Sequence, residues 1–388
     1  MKKQKICIIG GGLTGLVTAI TLSKYPVNVD LIVDDVVKTN KSNKTVAISQ
    51  SNYDFLKKLN FFKFSKSKFW PCLKMRLYAK NEKNKIEEVF NVNASNKKNI
   101  LYMIQNSKMM SQMLEYINKN KSINLIKKKM VSEIISKGLL KTVKFKNIIN
   151  SKYNLVIICT GSQSNLVKNM FDNNTFQRSY EQTSITTMLK HNYFENNIAR
   201  QIFLDDEVLA CLPISNTQTS IVWSVKKNTS QYKNSQDLFI KEKIKYYTKD
   251  FIKNLKFTKN IEYHDLHFLI RKQYYQDRIL LFGDSLHVVH PIAGQGFNMI
   301  LRDLSSLEKI IKNKISLGLD IGSNDSLSDF TKKTKPRNLL YSLGIDFLKN
   351  SFFTEQRTLK NFRNKMIINL NKNSFFKNLI VNIADGGI

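Results

Sequence analysis

The chain opens on a short apolar run, Lys5 to Ile9, which breaks into glycines and then into a helical stretch reaching about Lys24. After Pro26 a second apolar run, Val27 to Val33, completes a strand–helix–strand pattern. Another buried strand is predicted at Ile279 to Phe282, and an apolar run from Leu155 ends at Gly161. From Gly294 onward a helix is expected, with Leu301, Leu304, Leu307 and Ile311 at helical spacing. The runs Leu73 to Ala79, Ser184 to Leu189 and Thr219 to Val225 read as strands of a mostly antiparallel sheet, covered by a helix over Gln236 to Leu255. The tail from Asn338 to Ile388 mixes apolar clusters, such as Leu339-Leu340-Tyr341 and Met366-Ile367-Ile368, with Lys, Arg and Asn. Two readings of it stay open: helices packed on the first domain, or a surface that docks on a membrane or a partner. No internal repeat or low-complexity linker interrupts the chain.

Composition narrows the classes. The 388 residues are 42% hydrophobic, enough for a large core, and exclude collagen, disulfide scaffolds and bare coiled coils. The net charge is +32, but Lys is scattered along the whole length among Asn and Ile. With no Arg-rich helix, zinc-finger spacing or aromatic-and-basic strand signature, this is a compositional bias; it leaves room for an anionic membrane surface and argues against nucleic acid. Cys7, Cys72, Cys159 and Cys211 lie far apart, as expected of reduced thiols in the cytoplasm. The basic start is followed by Gly10, Gly11, Gly12 and Gly15 rather than a signal-like apolar core, so a soluble protein is expected. His264 with His267 and His287 with His290 form two H-x-x-H pairs, yet no nearby Cys or carboxylate completes a ligand set, so no metal is expected. His287 and His290 are expected to hold a loop by hydrogen bonds. No G-x-S-x-G elbow supports a hydrolase.

Glycine is the informative residue. Only 14 occur, about half the usual share of roughly 7%. Eight of them fall in three places: Gly10, Gly11, Gly12 and Gly15; Gly161; and Gly283, Gly294 and Gly296. In the first place G-x-G-x-x-G sits between strand and helix, the context of a dinucleotide site. Gly10 permits the turn, Gly12 lets backbone approach a pyrophosphate and Gly15 lets helix pack on strand, with Leu13 and Thr14 at the helix start completing the site. The acid expected about 20 residues on is assigned to Asp34, because Val33 occupies the strand end where it would otherwise stand. In the third place a strand delivers Gly283-Asp284 at its carboxyl end, and Gly294-Gln295-Gly296 opens a helix whose bare amides suit an electron-rich ring edge.

The segment Gly283 to Asn298, G-D-S-L-H-V-V-H-P-I-A-G-Q-G-F-N, resembles the G-D-A-A-H-x-x-H-P-x-A-G-Q-G-x-N of the FAD-dependent aromatic hydroxylases, within them the ubiquinone-biosynthesis hydroxylase family. Lys44-Thr45-Val46-Ala47-Ile48-Ser49 is similar to its R-T-x-A-L-S, Tyr102 to Asn106 to its G-Y-V-V-E-N, and Leu209 to Ile214 to its A-L-L-P-L. Around Gly161 the family carries A-D-G-x-x-S, and here Thr160 replaces the acid. The resemblance implies that Asp284 holds the flavin ribitol, that Pro291 lies near the isoalloxazine and that Gly294, Gln295 and Gly296, with Phe297 and Asn298 beyond, frame its pyrimidine edge. Lys44, Asn106 and Gly161 join the cofactor site on the same ground.

The resemblance further implies an NAD(P)H-dependent aromatic-ring monooxygenase in which O2 adds at the flavin C4a and the resulting hydroperoxide hydroxylates a polyprenylated phenol. No acid–base pair stands out, which suits an apolar pocket where the cofactor carries the chemistry. With a single G-x-G-x-x-G the nicotinamide would be a visitor in a groove. The expected architecture is α/β, a Rossmann-like FAD-binding domain (1–70, 98–180 and 268–388) intertwined with a mostly antiparallel β-sheet substrate domain (71–97 and 181–267). The implied setting is cytoplasmic, with peripheral contact at the inner face of the cytoplasmic membrane and a ubiquinone-biosynthesis protein complex as partner. Two other readings stay open: a non-catalytic assembly or lipid-binding member, suggested by Val33, Lys44 and Thr160, and a hydroxylase of another phenol.

Overall fold

The computed structural model describes residues 3–34, 42–61, 68–94, 99–127, 131–145, 148–171, 175–227, 236–258, 260–353 and 356–375, with Lys377, Asn378, Asn382 and Asp385 beyond them. The first part runs β1 (Gln4–Ile9), α1 (Leu13–Leu22), β2 (Val27–Val33), β3 (Thr45–Ser49), α2 (Gln50–Leu59), β4 (Trp70–Cys72), β5 (Lys74–Lys80) and β6 (Ile86–Asn93). Then come β7 (Leu101–Gln105), α3 (Asn106–Lys119), β8 (Ile123–Lys127), β9 (Val131–Lys137), β10 (Leu140–Phe145), β11 (Ile148–Tyr153), β12 (Leu155–Ile158) and α4 (Asn165–Phe171). The sheet region holds β13 (Thr175–Lys190), β14 (Ile198–Leu204), β15 (Glu207–Ser215), β16 (Gln218–Lys226), α5 (Gln236–Thr248), β17 (Lys256–Phe257) and β18 (Glu262–Arg271). The last part is β19 (Tyr275–Gln276), β20 (Ile279–Leu281), β21 (His287–Val288), α6 (Gln295–Ser316), α7 (Asn324–Phe352) and α8 (Arg357–Lys372).

The near-continuous apolar runs, from both ends of the chain, line up in parallel and are buried on both faces. Their six-stranded sheet has the order β19-β20-β12-β1-β2-β8, and every link from β20 to β8 is parallel. Ile6, Ile8, Val156, Ile157 and Leu280 are completely buried in its core, with Leu16, Val17 and Ile20 of α1 packed on one side. The alternating segments form a separate nine-stranded sheet, β21-β18-β13-β16-β15-β14-β5-β6 with β17 beside β13, whose pairs are antiparallel except for β14 with β5. A smaller sheet has the order β3-β7-β4, and its Ala47 and Met103 share a cluster with Met188 and Ile214 of the large sheet.

The α/β class and the mixture of a parallel and a mostly antiparallel sheet are as expected. The large sheet reaches past the expected limits 181 and 267, because β13 and β18 pair from Thr175 opposite Arg271. It also takes in His287 and Val288 of β21. The helix expected to Leu255 ends at Thr248, whose side chain bonds back to the Ile244 carbonyl while Phe251 and Ile252 turn onto the Thr248 carbonyl. Among the described residues no helix is long and apolar enough to cross a membrane. All four thiols are free and buried, and burial pushes Cys72 up to about 11 and Cys211 up to about 12, so they are unreactive at neutral pH.

Candidate active site

The three glycine places meet at one edge. β20, β12, β1 and β2 are neighbours in that order, and their carboxyl ends carry Gly283-Asp284, Thr160-Gly161, Gly10 to Gly12 and Asp34 respectively. Backbone bonds bind this edge together: Gly10 N–H to Ile32 O at 2.9 Å, Cys159 N–H to Ile9 O at 2.7 Å and Phe282 N–H to Ile158 O at 3.0 Å. Parallel strands expose their last amides and the helix N-termini that follow at this side, which is where open α/β sheets take ligands. Two glycines are required by contact. A Cβ on Gly15 would stand 1.9 Å from the Gly10 carbonyl oxygen, and one on Gly283, whose φ is +68°, would stand 2.5 Å from Thr14 Cγ2. The Gly283 turn therefore packs against the Thr14 side chain at the start of α1 only because it carries no side chain of its own.

Above this edge lies a cavity of about 720 Å³. Of the residues expected at the cofactor, Gly10, Gly12, Leu13, Thr14, Asp34 and Lys44 line it. So do Asn106, Gly161, Asp284, Pro291, Gly294, Gly296 and Phe297. Gly15, Gly283, Gln295 and Asn298 do not; they sit behind the wall and shape it. Asn298, completely buried, donates to the carbonyls of Ala47 at 2.9 Å and Gly294 at 3.1 Å and accepts from the Ser49 amide at 3.0 Å. It pins the start of α6 to β3. Gln295 is buried with its Oε1 unpaired.

The cavity is poorly satisfied by the protein alone. Thr45 Oγ1, Asn106 Oδ1 and Thr160 Oγ1 are buried there without a hydrogen-bond partner, and the space in front of Gly12 is open. Gly12 caps α1 with no side-chain hydrogen bond, so its first amides remain available to an anion. Asp284 is exposed to the cavity yet surrounded by protein, and burial raises its carboxyl above the usual range against the pull of His287, Lys44 and His267. Unpaired acceptors, free helix amides and a carboxylate facing the cleft suit a flavin dinucleotide with its hydroxyls and diphosphate.

His287 and His290 are structural. His287 Nε2 lies 3.1 Å from Asp303 Oδ2, and the same carboxylate accepts from Arg337 at 2.9 Å and Asn338 at 2.7 Å. His290 Nε2 lies 3.0 Å from Gln182 Oε1, and burial drives its pKa down to about 3. Loop-holding by His287 and His290 is thus what the structure shows, and among the described residues no group of three or more His, Cys, Asp or Glu could hold a metal. Asp303 and Arg337 were missed from sequence: each looks like one more helix charge until α6 and α7 bring them together. Ser285 was also missed; its hydroxyl bonds both the amide and the carbonyl of Gly161, at 3.1 and 3.3 Å, tying the second glycine place to the third.

The opposite wall comes from the large sheet. Met75, Ala199, Leu212 and Val222 make it apolar, with Leu101 of β7 beside them, and Ser184, Thr186, Gln201 and His264 place polar groups on it.

A parallel-sheet dinucleotide edge, a distant Gly-Asp turn closing it and an apolar antiparallel wall facing both define a flavoprotein monooxygenase. The chain belongs to the family of the FAD-binding domain, matched over residues 3–316, and is an enzyme of the FAD-dependent monooxygenase class. FAD is its cofactor, with NAD(P)H and O2 typical of the class. It is 25% identical to the ubiquinone biosynthesis monooxygenase of Dictyostelium discoideum over 98% of this chain and 91% of that protein. To the ubiquinone hydroxylase of Neisseria meningitidis it is 22% identical, over 60% of this chain and 50% of that one. The fold is shared with p-nitrophenol 4-monooxygenase of Pseudomonas putida, with a TM-score of 0.78 at 13% identity over 98% and 96% of the two chains. It is shared too with Klebsiella pneumoniae HpxO, solved with FAD and uric acid, with a TM-score of 0.74 at 13% identity over 99% and 96%.

Proposed function

We propose that this protein hydroxylates the aromatic ring of a polyprenylated phenol in ubiquinone biosynthesis, using NAD(P)H and O2. The observation that carries the reading is the junction of two unlike surfaces in one cavity: unsatisfied polar groups at the dinucleotide edge and an apolar wall on the sheet opposite. FAD held there would supply the redox chemistry between NAD(P)H, O2 and the ring. The chain's own residues do the rest. Gly10 to Thr14 and the α1 N-terminus bind the diphosphate, Asp34 and Asp284 take hydroxyls, and Gly294 and Gly296 present backbone to the ring. Met75, Leu101, Leu212 and Val222 exclude water and seat an apolar substrate.

The departures at Val33, Lys44 and Thr160 are compatible with this. Val33 packs beneath the glycine loop, where a Cβ on Gly11 would meet its Cγ1 at 2.9 Å, and the acid is supplied one residue later by Asp34 on the cavity wall. Lys44 keeps a cation at the cavity, and Thr160 lines it with its hydroxyl buried and unpaired. We also place the protein at an anionic lipid surface, where a polyprenylated substrate resides. Leu339, Leu340, Leu343 and Phe347 on α7 and Leu359, Phe362 and Met366 on α8 are exposed at helical spacing, and the chain carries +32.

The test uses purified full-length protein. It should show flavin absorption, consume NAD(P)H faster with a short-chain polyprenylated phenol, and yield a product one oxygen heavier by mass spectrometry. Bound FAD with no product from that phenol, but product from 4-nitrophenol or another simple phenol, would reassign the substrate. Bound FAD with no product from any phenol favours the assembly role.

A further inference from the structure

The polar groups of the substrate wall are not scattered. On β13 Ser184 and Thr186 face the cavity, and on the adjacent β18 His264 stands directly opposite Ser184. Along the register from Thr186 the cavity face continues through Val222 of β16 and Ala210 of β15, two small apolar residues, to Gln201 of β14. The wall is therefore polar at the β13–β18 corner, low and apolar over the next two strands, about two strand spacings of 4.8 Å wide, and ends in the Gln201 amide. A ring lying on Val222 and Ala210 meets hydroxyls and an imidazole at one edge and a carboxamide at the other.

We propose that His264 is the base that takes the proton of the substrate's phenolic hydroxyl, with Ser184 and Thr186 holding the oxygen and Glu262 orienting the imidazole. The assignment rests on the phenol-hydroxylase reading above and names the residue that prepares its substrate. In the step the phenolic O–H bond breaks, its electron pair stays on oxygen and the proton moves to a ring nitrogen of His264. No electron is transferred, and the resulting phenolate is the electron-rich ring that an electrophilic oxygen requires.

Three observations converge on this corner. Thr186 Oγ1 is buried without a partner, so it has a hydrogen bond to give or accept. His264 Nε2 lies 3.4 Å from Glu262 Oε2, a long contact of the kind that tightens when a ligand closes the site, and Glu262 Oε1 is itself fixed by the Asn43 amide at 2.8 Å. With Nε2–H turned to the carboxylate, Nδ1 is the acceptor. Burial, with Lys44 adding to it, lowers the His264 pKa against the opposing pull of Glu262, so the imidazole is neutral and able to accept at neutral pH. His264 is also half-exposed, which gives the proton a way out to solvent.

The experiment separates proton transfer from oxygen chemistry. FAD-loaded protein without NAD(P)H is mixed rapidly with 4-nitrophenol at a pH about one unit below the probe's own pKa, and the phenolate band is followed. In the wild type the bound probe ionises. His264→Ala should slow phenolate formation about 10²-fold with FAD still bound, and free imidazole should restore the rate, which a structural role would not allow. Glu262→Gln should slow it less and move the acid limb of its pH profile. Where His264→Ala loses FAD, His264→Asn and Thr186→Val carry the same comparison. The assignment is overturned if the wild type binds the probe as neutral phenol or does not bind it, if the folded His264 variants ionise it at the wild-type rate, or if imidazole fails to rescue them. A wild type that ionises the probe but hydroxylates no phenol would sink the proposed function and leave the base assignment standing.

Discussion

Single residues set the limits of this site. A methyl on Gly15 would sit 1.9 Å from a backbone oxygen that cannot move without opening the β1–α1 turn. Gly15→Ala is expected to lose bound flavin, read as the ratio of visible to protein absorption in the purified variant. Asp303 is a different limit, because its carboxylate is 1% exposed and shared by His287, Arg337 and Asn338. Asp303→Ala strands a nearly buried guanidinium and is expected to cost about 3–5 kcal/mol in urea denaturation. Unchanged stability would show that water replaces the carboxylate. The glycines were legible in sequence because the chain is poor in them, whereas Asp303 was not, since pairing across two helices leaves no local spacing to read.

At the scale of elements, the start of α6 is the joint on which the cavity depends. Asn298 reaches from α6 to both neighbours of Ile48 on β3, and Asn52 of α2 donates to it as well, at 3.0 Å. Replacing it by Ala takes the Asn298 partner from the Ser49 amide and the Ala47 carbonyl in a buried place, each worth about 1–3 kcal/mol, while Asn52 keeps its bond to Ser49 Oγ. Asn298→Ala is therefore expected to lower the melting temperature and, by freeing α6 from β3, to weaken FAD retention in dialysis; loss of one without the other would separate the two roles. The expected strand and helix positions were accurate where periodicity was strong, as at β2, which spans Val27–Val33 as predicted. They failed at α5, where helix-forming residues continue to Leu255 but side-chain and backbone turns at Thr248 end the helix.

The whole molecule carries two further expectations. Buried His290, with its pKa driven to about 3, binds fewer protons when folded than when unfolded between that value and about 6.5. Stability from this group is thus complete above pH 6.5 and lost as the pH falls, by about 2 kcal/mol at pH 5. His191, His264 and His267, also lowered by burial, add in the same direction, while Asp284, raised by burial, opposes it in the acid range. Urea midpoints at pH 7 and pH 5 should show the loss, and His290→Gln should reduce it. The second expectation concerns the surface: the wild type should bind vesicles containing anionic lipid and not neutral ones, and Phe347→Asp with Phe362→Asp should weaken binding about tenfold or more in sedimentation.

The sequence alone determined the dinucleotide edge, because Gly-rich turns at strand ends are dictated by local backbone sterics, and the long Gly283 to Asn298 segment carried its own resemblance. Expected cofactor residues fell on the cavity or just behind it for the same reason. Only the tertiary structure decided what faces the cofactor. Thr186, Gln201 and His264 come from three strands whose register is set by pairing between residues as far apart as Thr175 and Arg271, and no local pattern marks them as neighbours. The Asp303 network is likewise made by helix packing. Local geometry is written residue by residue, whereas convergence in a cavity depends on which faces the whole core buries.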